Sequence, residues 1–331
     1  MSANPHKMHP AQQDMAPKRK GRLSLREYGV LTVFVVLFIS LSFVSPIFIR
    51  PANLANVLDQ ASTWGIVACG ATLTIIAGIF DLSIGSVYAV SAIIAVLVAN
   101  HLGTMAGFIA AVLSGATMGT INGLVVTLAR INSFIATLAT SFLFGGLAIV
   151  ISQGKIATAN HISFLVMNDT PIGNITAASW LFIGVALVTG LLLAITGYGR
   201  SLYAIGGNKE AARLSGLRTV RDQILVLTIS GACAGTAAII GASQTGSANA
   251  SMGGATLTLT AIAATVIGGT SIMGGEGSIW RAMIGVFILV LISNGFNLLG
   301  INANYQEIVQ GFLILVAVGL DQAFRWRVTS S

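Results

Sequence analysis

The sequence predicts an all-α fold: a polytopic membrane bundle of about ten transmembrane helices with both chain ends in the cytoplasm. Three observations carry this expectation. Hydrophobic residues make up 55% of the 331 positions and charged residues only 8%, whereas a soluble domain carries roughly 25% charged residues. Too few charges remain to cover a soluble particle of this size. Apolar stretches of about 20 residues, the length that crosses a bilayer, recur along the chain. The basic residues behind the net charge of +7 gather at the ends and in one central loop, as topology signals do and nucleic-acid interfaces do not. A mean hydropathy of +0.87 and 38 glycines fit closely packed membrane helices.

Residues 1–27 form a polar tail with Lys18, Arg19, Lys20, Arg22 and Arg26 ahead of the first apolar run. That run, Val30 to Phe48, exceeds a signal-peptide core of about 7–15 residues, and no small-x-small cleavage site follows. It reads as a retained first span. The spans that follow are expected near 61–80, 84–99, 104–128, 134–152, 178–197, 222–243, 255–270, 280–299 and 305–323. Together they make a transmembrane domain over 28–325, with a short tail at 326–331. Asp81-Leu82-Ser83 alone separate the second span from the third, so one of the two is broken or re-entrant. The loop at 198–221 is the most charged internal segment.

Counting spans from a cytoplasmic start places Arg130, the Arg200–Arg221 loop, Arg325 and Arg327 inside, leaving chiefly Arg50 and Lys155 outside. The positive-inside rule and the span count agree. Gly115, Gly119 and Gly123 repeat every fourth residue, as do Gly231 and Gly235, marking helix faces that let a neighbouring backbone approach closely. Asn122-Gly123 followed by Ile131-Asn132 recurs as Asn294-Gly295 followed by Ile301-Asn302. The topology gives the two pairs opposite orientations, as in an inverted repeat.

The chemistry-bearing residues are few. His6, His9, His101 and His161 lack metal-ligand spacing. Cys69 and Cys233 lie in apolar runs, which argues against a disulfide framework. No nucleophile–base pair suggests an enzyme. A phosphate-binding loop needs GxxxxGK[ST], but Gly154-Lys155 runs into Ile156 and Gly277-Ser278 lacks the lysine. Gly268, Gly269, Gly274, Gly275, Gly277 and Ser278 instead suit an unwound or tightly turned connection, tolerated at membrane depth only against protein or water.

The segment Gly78 to Ser86 is the most informative. A carboxylate among apolar spans costs about 2.5–3.5 kcal/mol at a helix centre, and a break here relieves that cost. Asp81 or Ser83 is expected to cap the new helix, with Gly85 and Ser86 in its first turn. Either this is a capped turn at the membrane edge, or it is a polar element beside a translocation path. Asn122, Asn294 and Gln306 face a pore or make interhelical hydrogen bonds. From Asn208 onward the loop reads as a short cytoplasmic helix: an Asn N-cap, Glu210 in the first turn, Ala211, Ala212 and Arg213 as helix formers, and Gly216 as stop.

Three segments together resemble a known family. Gly199-Arg200, Ala204-Ile205-Gly206-Gly207-Asn208, Glu210-Ala211-Ala212-Arg213 and Ser215-Gly216 resemble the coupling segment of ABC-transporter permeases of the ribose/branched-chain amino-acid type. Asp81-Leu82-Ser83 with Gly85-Ser86, and Ile267 to Ser278, are similar to two further elements of that family, in family order over roughly 30–325. Within the family the likeness is to monosaccharide permeases. The resemblance implies a permease that binds no cofactor of its own and pairs with itself or a sister permease in a bacterial inner membrane. It implies a cytoplasmic ATPase that uses ATP and Mg and seats the Asn208–Gly216 helix, with Gly206 and Gly207 leading into it. It also implies a periplasmic protein that delivers the sugar. Ile79-Phe80 stands where the family usually has Gly-Ile, and Thr258-Leu259-Thr260 where it commonly has Glu-Leu-Asp. An ion- or proton-coupled secondary transporter is the alternative. That class places ionisable groups well inside the spans, and only Asp81, Glu276 and Glu307 are candidates here.

Overall fold

In a computed structural model, residues 25–169 and 173–302 are described, with six further helical positions between 305 and 315. Among the described residues the chain folds into eleven α-helices: α1 (Leu25–Val44), α2 (Pro51–Ile76), α3 (Ile84–Leu102), α4 (Thr104–Leu128), α5 (Ser133–Ser152), α6 (Ala177–Ile195), α7 (Gly197–Gly207), α8 (Lys209–Leu214), α9 (Thr219–Thr245), α10 (Gly254–Ile267) and α11 (Ile279–Leu298). Two short strands, β1 (Ala157–Thr158) and β2 (Ser247–Ala248), pair antiparallel and tie the α5–α6 connection to the end of α9. Most of the span expected near 305–323, with Gln306 and Glu307, lies outside the described residues, as do residues 1–24 and 316–331.

The all-α membrane bundle is as expected, and the described residues do not reach the expected count of ten by length and apolarity. Among the described residues six helices qualify: α3, α4, α5, α6, α9 and α11. Four expected spans fall outside these six: the first, whose Gly29–Val44 stretch is among the shorter apolar helices, the one near 305–323, which lies largely outside the described residues, and two that depart from the expectation. The span expected at 61–80 is α2, which starts ten residues earlier because Pro51 opens it from an extended Arg50. Its first turns carry Asn53, Asn56, Asp59 and Gln60, which the apolar pattern treated as loop. Asn53 and Asp59 instead have partners within the bundle: Asn53 and Asn294 exchange amide hydrogen bonds of 3.1 and 3.0 Å, and Asp59 accepts from Thr176 and Gln244. The span expected at 255–270 is α10, only 14 residues long. At 1.5 Å per residue it reaches about 21 Å, short of a hydrocarbon core of about 30 Å.

The core lies where α2, α3, α4 and α9 meet. α9 is buried along most of its length, from Thr219 to Ser243, while α5 and α6 bury about a quarter of their residues. Phe142, Leu143, Val150, Leu187 and Val188 stand exposed on these outer helices, the apolar surface a bilayer covers. The glycine faces pack as their spacing predicts. Gly115 and Gly231 meet backbone to backbone, and Gly119 and Gly235 rest on Leu227 and Ala111 across the α4–α9 seam. Thr120 and Thr228 hydrogen-bond at 2.8 Å within the same seam.

The element order repeats. A 26-residue helix (α2), a non-helical segment (77–83) and two helices (α3, α4) are matched by a 27-residue helix (α9), a largely non-helical segment (246–253) and two helices (α10, α11). Asn294 sits at the start of α2 through Asn53, whereas Asn122 bonds Ser83 beyond the end of α2. The two Asn-Gly pairs therefore lie at opposite ends of the bundle, as an inverted repeat requires.

Leucine at Gly231 would drive a side chain into the Gly115 carbonyl and part the α4–α9 seam. Gly231→Leu is expected to cost about 1–3 kcal/mol or more, read as a lower thermal unfolding midpoint in detergent. Gly146→Leu, where nothing lies within 4 Å, should change that midpoint little.

Candidate translocation and coupling site

α2 ends in a Schellman motif. Gly78 adopts φ +73°, its N–H donates to Ile75 O at 2.9 Å, and Ile79 N–H donates to Thr74 O at 2.9 Å. The chain then leaves the helix for seven residues inside the bundle, where Ile79, Asp81 and Ser83 are buried. An extended backbone at this depth needs partners for its polar groups. α5 supplies several. Phe80 N–H donates to Ser133 Oγ at 3.3 Å, Leu82 N–H donates to Thr137 Oγ1 at 3.0 Å, and that hydroxyl donates on to Phe80 O at 3.1 Å.

Asp81 completes the set. Its Oδ1 accepts from Ser83 N–H at 3.0 Å and from Ser83 Oγ at 2.6 Å, and its Oδ2 accepts from Ser230 Oγ on α9 at 3.1 Å. Asn122 on α4 donates to Ser83 Oγ at 2.7 Å. Asp81, Ser83, Asn122 and Ser230 are each at least 95% buried. One carboxylate thus joins the break to α9 directly and to α4 through Ser83. Asn122 Oδ1 itself has no partner among the described residues.

The expected capping is corrected. Ser83 occupies the N-cap position of α3 but makes no side-chain capping bond, because its hydroxyl is already committed to Asp81. Asp81 stops at Ser83 N–H, one residue short of the helix. The cap comes from another helix instead: Gly85 N–H donates to Thr258 Oγ1 on α10 at 2.9 Å. Any Cβ at Gly85 would collide with the Gly254 carbonyl, so only glycine lets the two helix starts lie this close. Thr258 is where the resembling family commonly has Glu. Its work as the cap of α3 is visible only in the fold, since Thr258 and Gly85 lie 173 positions apart.

The three segments marked in the sequence converge at the far end of α2. Gly206 closes against Ile76 O so tightly that a Cβ there would overlap it, and that Cβ would lie 2.5 Å from Gly275 N. Gly275 N–H donates to Ile76 O at 2.9 Å, and Tyr203 Oη donates to Gly277 O at 2.8 Å. A Cβ at Gly274 would stand 3.0 Å from the Gly78 backbone, and one at Gly275 would stand 2.9 Å from Gly207 Cα. Gly78, Gly206, Gly207, Gly274 and Gly275 form one backbone junction. Gly268 and Gly277 flank it, packed on Arg281–Ala282 and on Ile76 with Thr270. Ser278 opens α11 at its N-cap position.

From the junction the chain passes directly into α8, as expected in type and nearly in extent. Asn208 Oδ1 accepts from Ala211 N–H at 3.0 Å. Gly216 takes φ +84° in a second Schellman ending, with Leu217 N–H bonded to Ala212 O at 3.1 Å. Arg213 Nε donates to Glu210 Oε2 at 3.2 Å, and that hydrogen bond holds the Glu210 carboxyl below the usual carboxylate range. Ala212 alone of the six α8 residues is buried. α7, which precedes it, was not foreseen: its glycines read as loop, but Thr196 Oγ1 caps it by accepting from Gly199 N–H at 3.0 Å.

Two comparisons bear on this arrangement. Residues 53–318 match the family described as "Branched-chain amino acid transport system / permease component". The L-arabinose transport system permease protein AraH of Escherichia coli (strain K12) is 38% identical over 299 residues, covering 89% of this chain and 90% of that protein. The chain belongs to this permease family. The ribose import permease protein RbsC of Bacillus subtilis (strain 168) is 35% identical over 301 residues, 90% of this chain and 93% of that one. RbsC of Escherichia coli (strain K12) is 37% identical over 303 residues, covering 90% and 94%. The permease is accordingly the membrane component of a transport system and not an enzyme.

Of the residues singled out for a path, Asp81, Ser83, Gly85, Asn122 and Asn294 are buried. Ser86 is half-buried and faces α5, where a Cβ at Gly145 would come within 3.8 Å of its Oγ. Gln306 lies outside the described residues.

Thr258→Val keeps the shape and removes the acceptor that caps α3. The expected cost is about 1 kcal/mol, measured as a drop in thermal stability, and Thr258→Ser should restore it.

Proposed function

We propose that this permease is the translocating subunit of an ATP-driven importer whose solute is a monosaccharide. One observation carries the mechanism: the exposed helix α8 and the buried break at 77–83 are joined through the Gly78–Gly206–Gly274 backbone junction. Backbone-to-backbone contact leaves no flexible side chain to absorb a displacement. A push on α8 therefore arrives at Ile76 and Gly78, and from there at the segment that holds α5 by its Ser133 and Thr137 hydroxyls.

In this reading α8 seats in a cytoplasmic ATPase, which uses ATP and Mg on its own chain. α5 moves against α3, and the half-buried Ser86 between them touches the path. Asp81, Ser83, Asn122 and Ser230 position that face without contacting the solute. The basic loop 198–221 and both termini are cytoplasmic, a periplasmic protein delivers the sugar, and a second permease subunit completes the path. The sugar assignment rests on the relatives named for ribose and L-arabinose. Coupling to an ion gradient would need a carboxylate free to bind the ion, and the oxygens of Asp81 are already occupied by Ser83 and Ser230.

Gly206→Val should leave ATPase association intact and uncouple it, so that ATP hydrolysis by the reconstituted complex continues while uptake falls at least tenfold. Glu210→Lys should instead weaken ATPase association, seen as loss of the ATPase on co-purification. Unchanged uptake in both would remove the coupling role. Titrating the co-encoded binding protein with sugars should give its strongest binding with a monosaccharide; preference for an amino acid would overturn the sugar assignment alone.

A further inference from the structure

A cavity of about 730 Å³ opens beside the junction, between the α4–α5 turn and the start of α9. Its charged walls are all basic: Arg130 from the turn, and Lys209 and Arg213 from α8. Arg213 is paired with Glu210. Among the described residues neither Arg130 nor Lys209 has a carboxylate partner, and no carboxylate lines the cavity. Arg130 is held at φ +55°, a backbone conformation that a long side chain rarely adopts.

Two long helices begin at this cavity. Ser133 stands at the start of α5, and Thr219 and Val220 at the start of α9. The N-cap position of α9 is Arg218, which makes no side-chain capping bond, and Asp222 in the first turn is buried and does not line the cavity. Gln223, 4% exposed, lines the cavity, and its buried Oε1 has no partner among the described residues. Its amide also carries two N–H donors. Guanidinium, ammonium, amide, hydroxyl and helix terminus together suit a tetrahedral oxyanion with several oxygens.

We propose that this cavity binds a phosphate group. A bare phosphate fills a small part of it, and Ile79, Val126 and Val220 supply apolar wall beyond the basic rim, so the cavity also has room for an organic substituent. A phospholipid headgroup and a soluble phosphate ester share this chemistry. The bound group would bridge Arg130 to Lys209, fastening α8 to the α4–α5 turn. This inference does not depend on the sugar or the coupling assignment.

The test uses the full-length permease in nanodiscs, with folding checked by monodisperse elution. In discs of phosphatidylcholine with phosphatidylglycerol, native mass spectrometry counts the phosphatidylglycerol retained. In discs of phosphatidylcholine alone, inorganic phosphate is titrated by calorimetry. Wild-type protein should bind in one or both arms, and Arg130→Gln should weaken that binding about tenfold, the loss expected for one charge-assisted hydrogen bond. Gln223→Leu should weaken it as well, which keeps the test open if Arg130→Gln does not fold. Arg50→Gln, at the opposite end of α2, should leave it unchanged. Retention of phosphatidylglycerol that phosphate cannot displace identifies a lipid headgroup; binding of phosphate without anionic lipid identifies a soluble ester. Absence of binding in both arms overturns the proposal. So does equal loss in Arg50→Gln and Arg130→Gln, or displacement of the bound group when the ATPase is added, which would make the cavity a seat for an ATPase side chain.

Discussion

A backbone that leaves the helix inside a membrane must find its hydrogen-bond partners among its neighbours, since lipid offers none. Residues 77–83 meet that requirement through hydroxyls of α5 and through their own Asp81, whose carboxyl and whose partner Ser83 are held in turn by α9 and α4. Ser133 and Thr137 bring the first turns of α5 to the break, Ser230 fixes α9 to it, and Asn122 fixes α4. Asp81 is central because a carboxylate can accept from several donors at once. A buried carboxyl held this way is costly to strand: removing any donor leaves an oxygen without a partner. Its contribution is to decide which helices lie beside the break, more than to add net stability.

The same constraint explains the glycines. A junction of three chain segments in backbone contact has room for no Cβ at Gly206 and for none at Gly274 without displacement. It joins an exposed six-residue helix to a segment whose Ile79, Asp81 and Ser83 are buried. Side chains at such a junction would give play by changing rotamer, and backbones do not. Stiffness is therefore obtained where the chain is locally most permissive, because Gly206, Gly274 and Gly275 are held by their neighbours.

Much of this was legible in the sequence, and the limits have physical causes. The break at Asp81 showed itself as a carboxylate between apolar runs, and α8 showed itself through Asn208 and Gly216, because caps and stops are local chemistry. The glycine spacing on α4 and α9 announced a seam for the same reason. The start of α2 was missed because Asn53 and Asp59 look like loop residues until Asn294, Thr176 and Gln244 are brought to them. α10 was read as a full span because apolar periodicity does not report length well next to glycines. The cap of α3 was assigned to Asp81 or Ser83, the adjacent residues, since nothing in a linear reading points 173 positions onward to Thr258.

That distance gives the order of synthesis a part in the fold. When α3 first enters the membrane, the hydroxyl that caps it and the serine that bonds the second oxygen of Asp81 have not been made; they follow 173 and 149 residues later. At about 5–20 residues per second, the gap is roughly 7–35 s. For that interval a carboxylate and an uncapped helix start must be sheltered by water, by the insertion machinery or by a shallower position in the bilayer. The N-terminal half of this protein reaches the membrane as an unfinished structure, and arrival of α9 and α10 is the event that closes it.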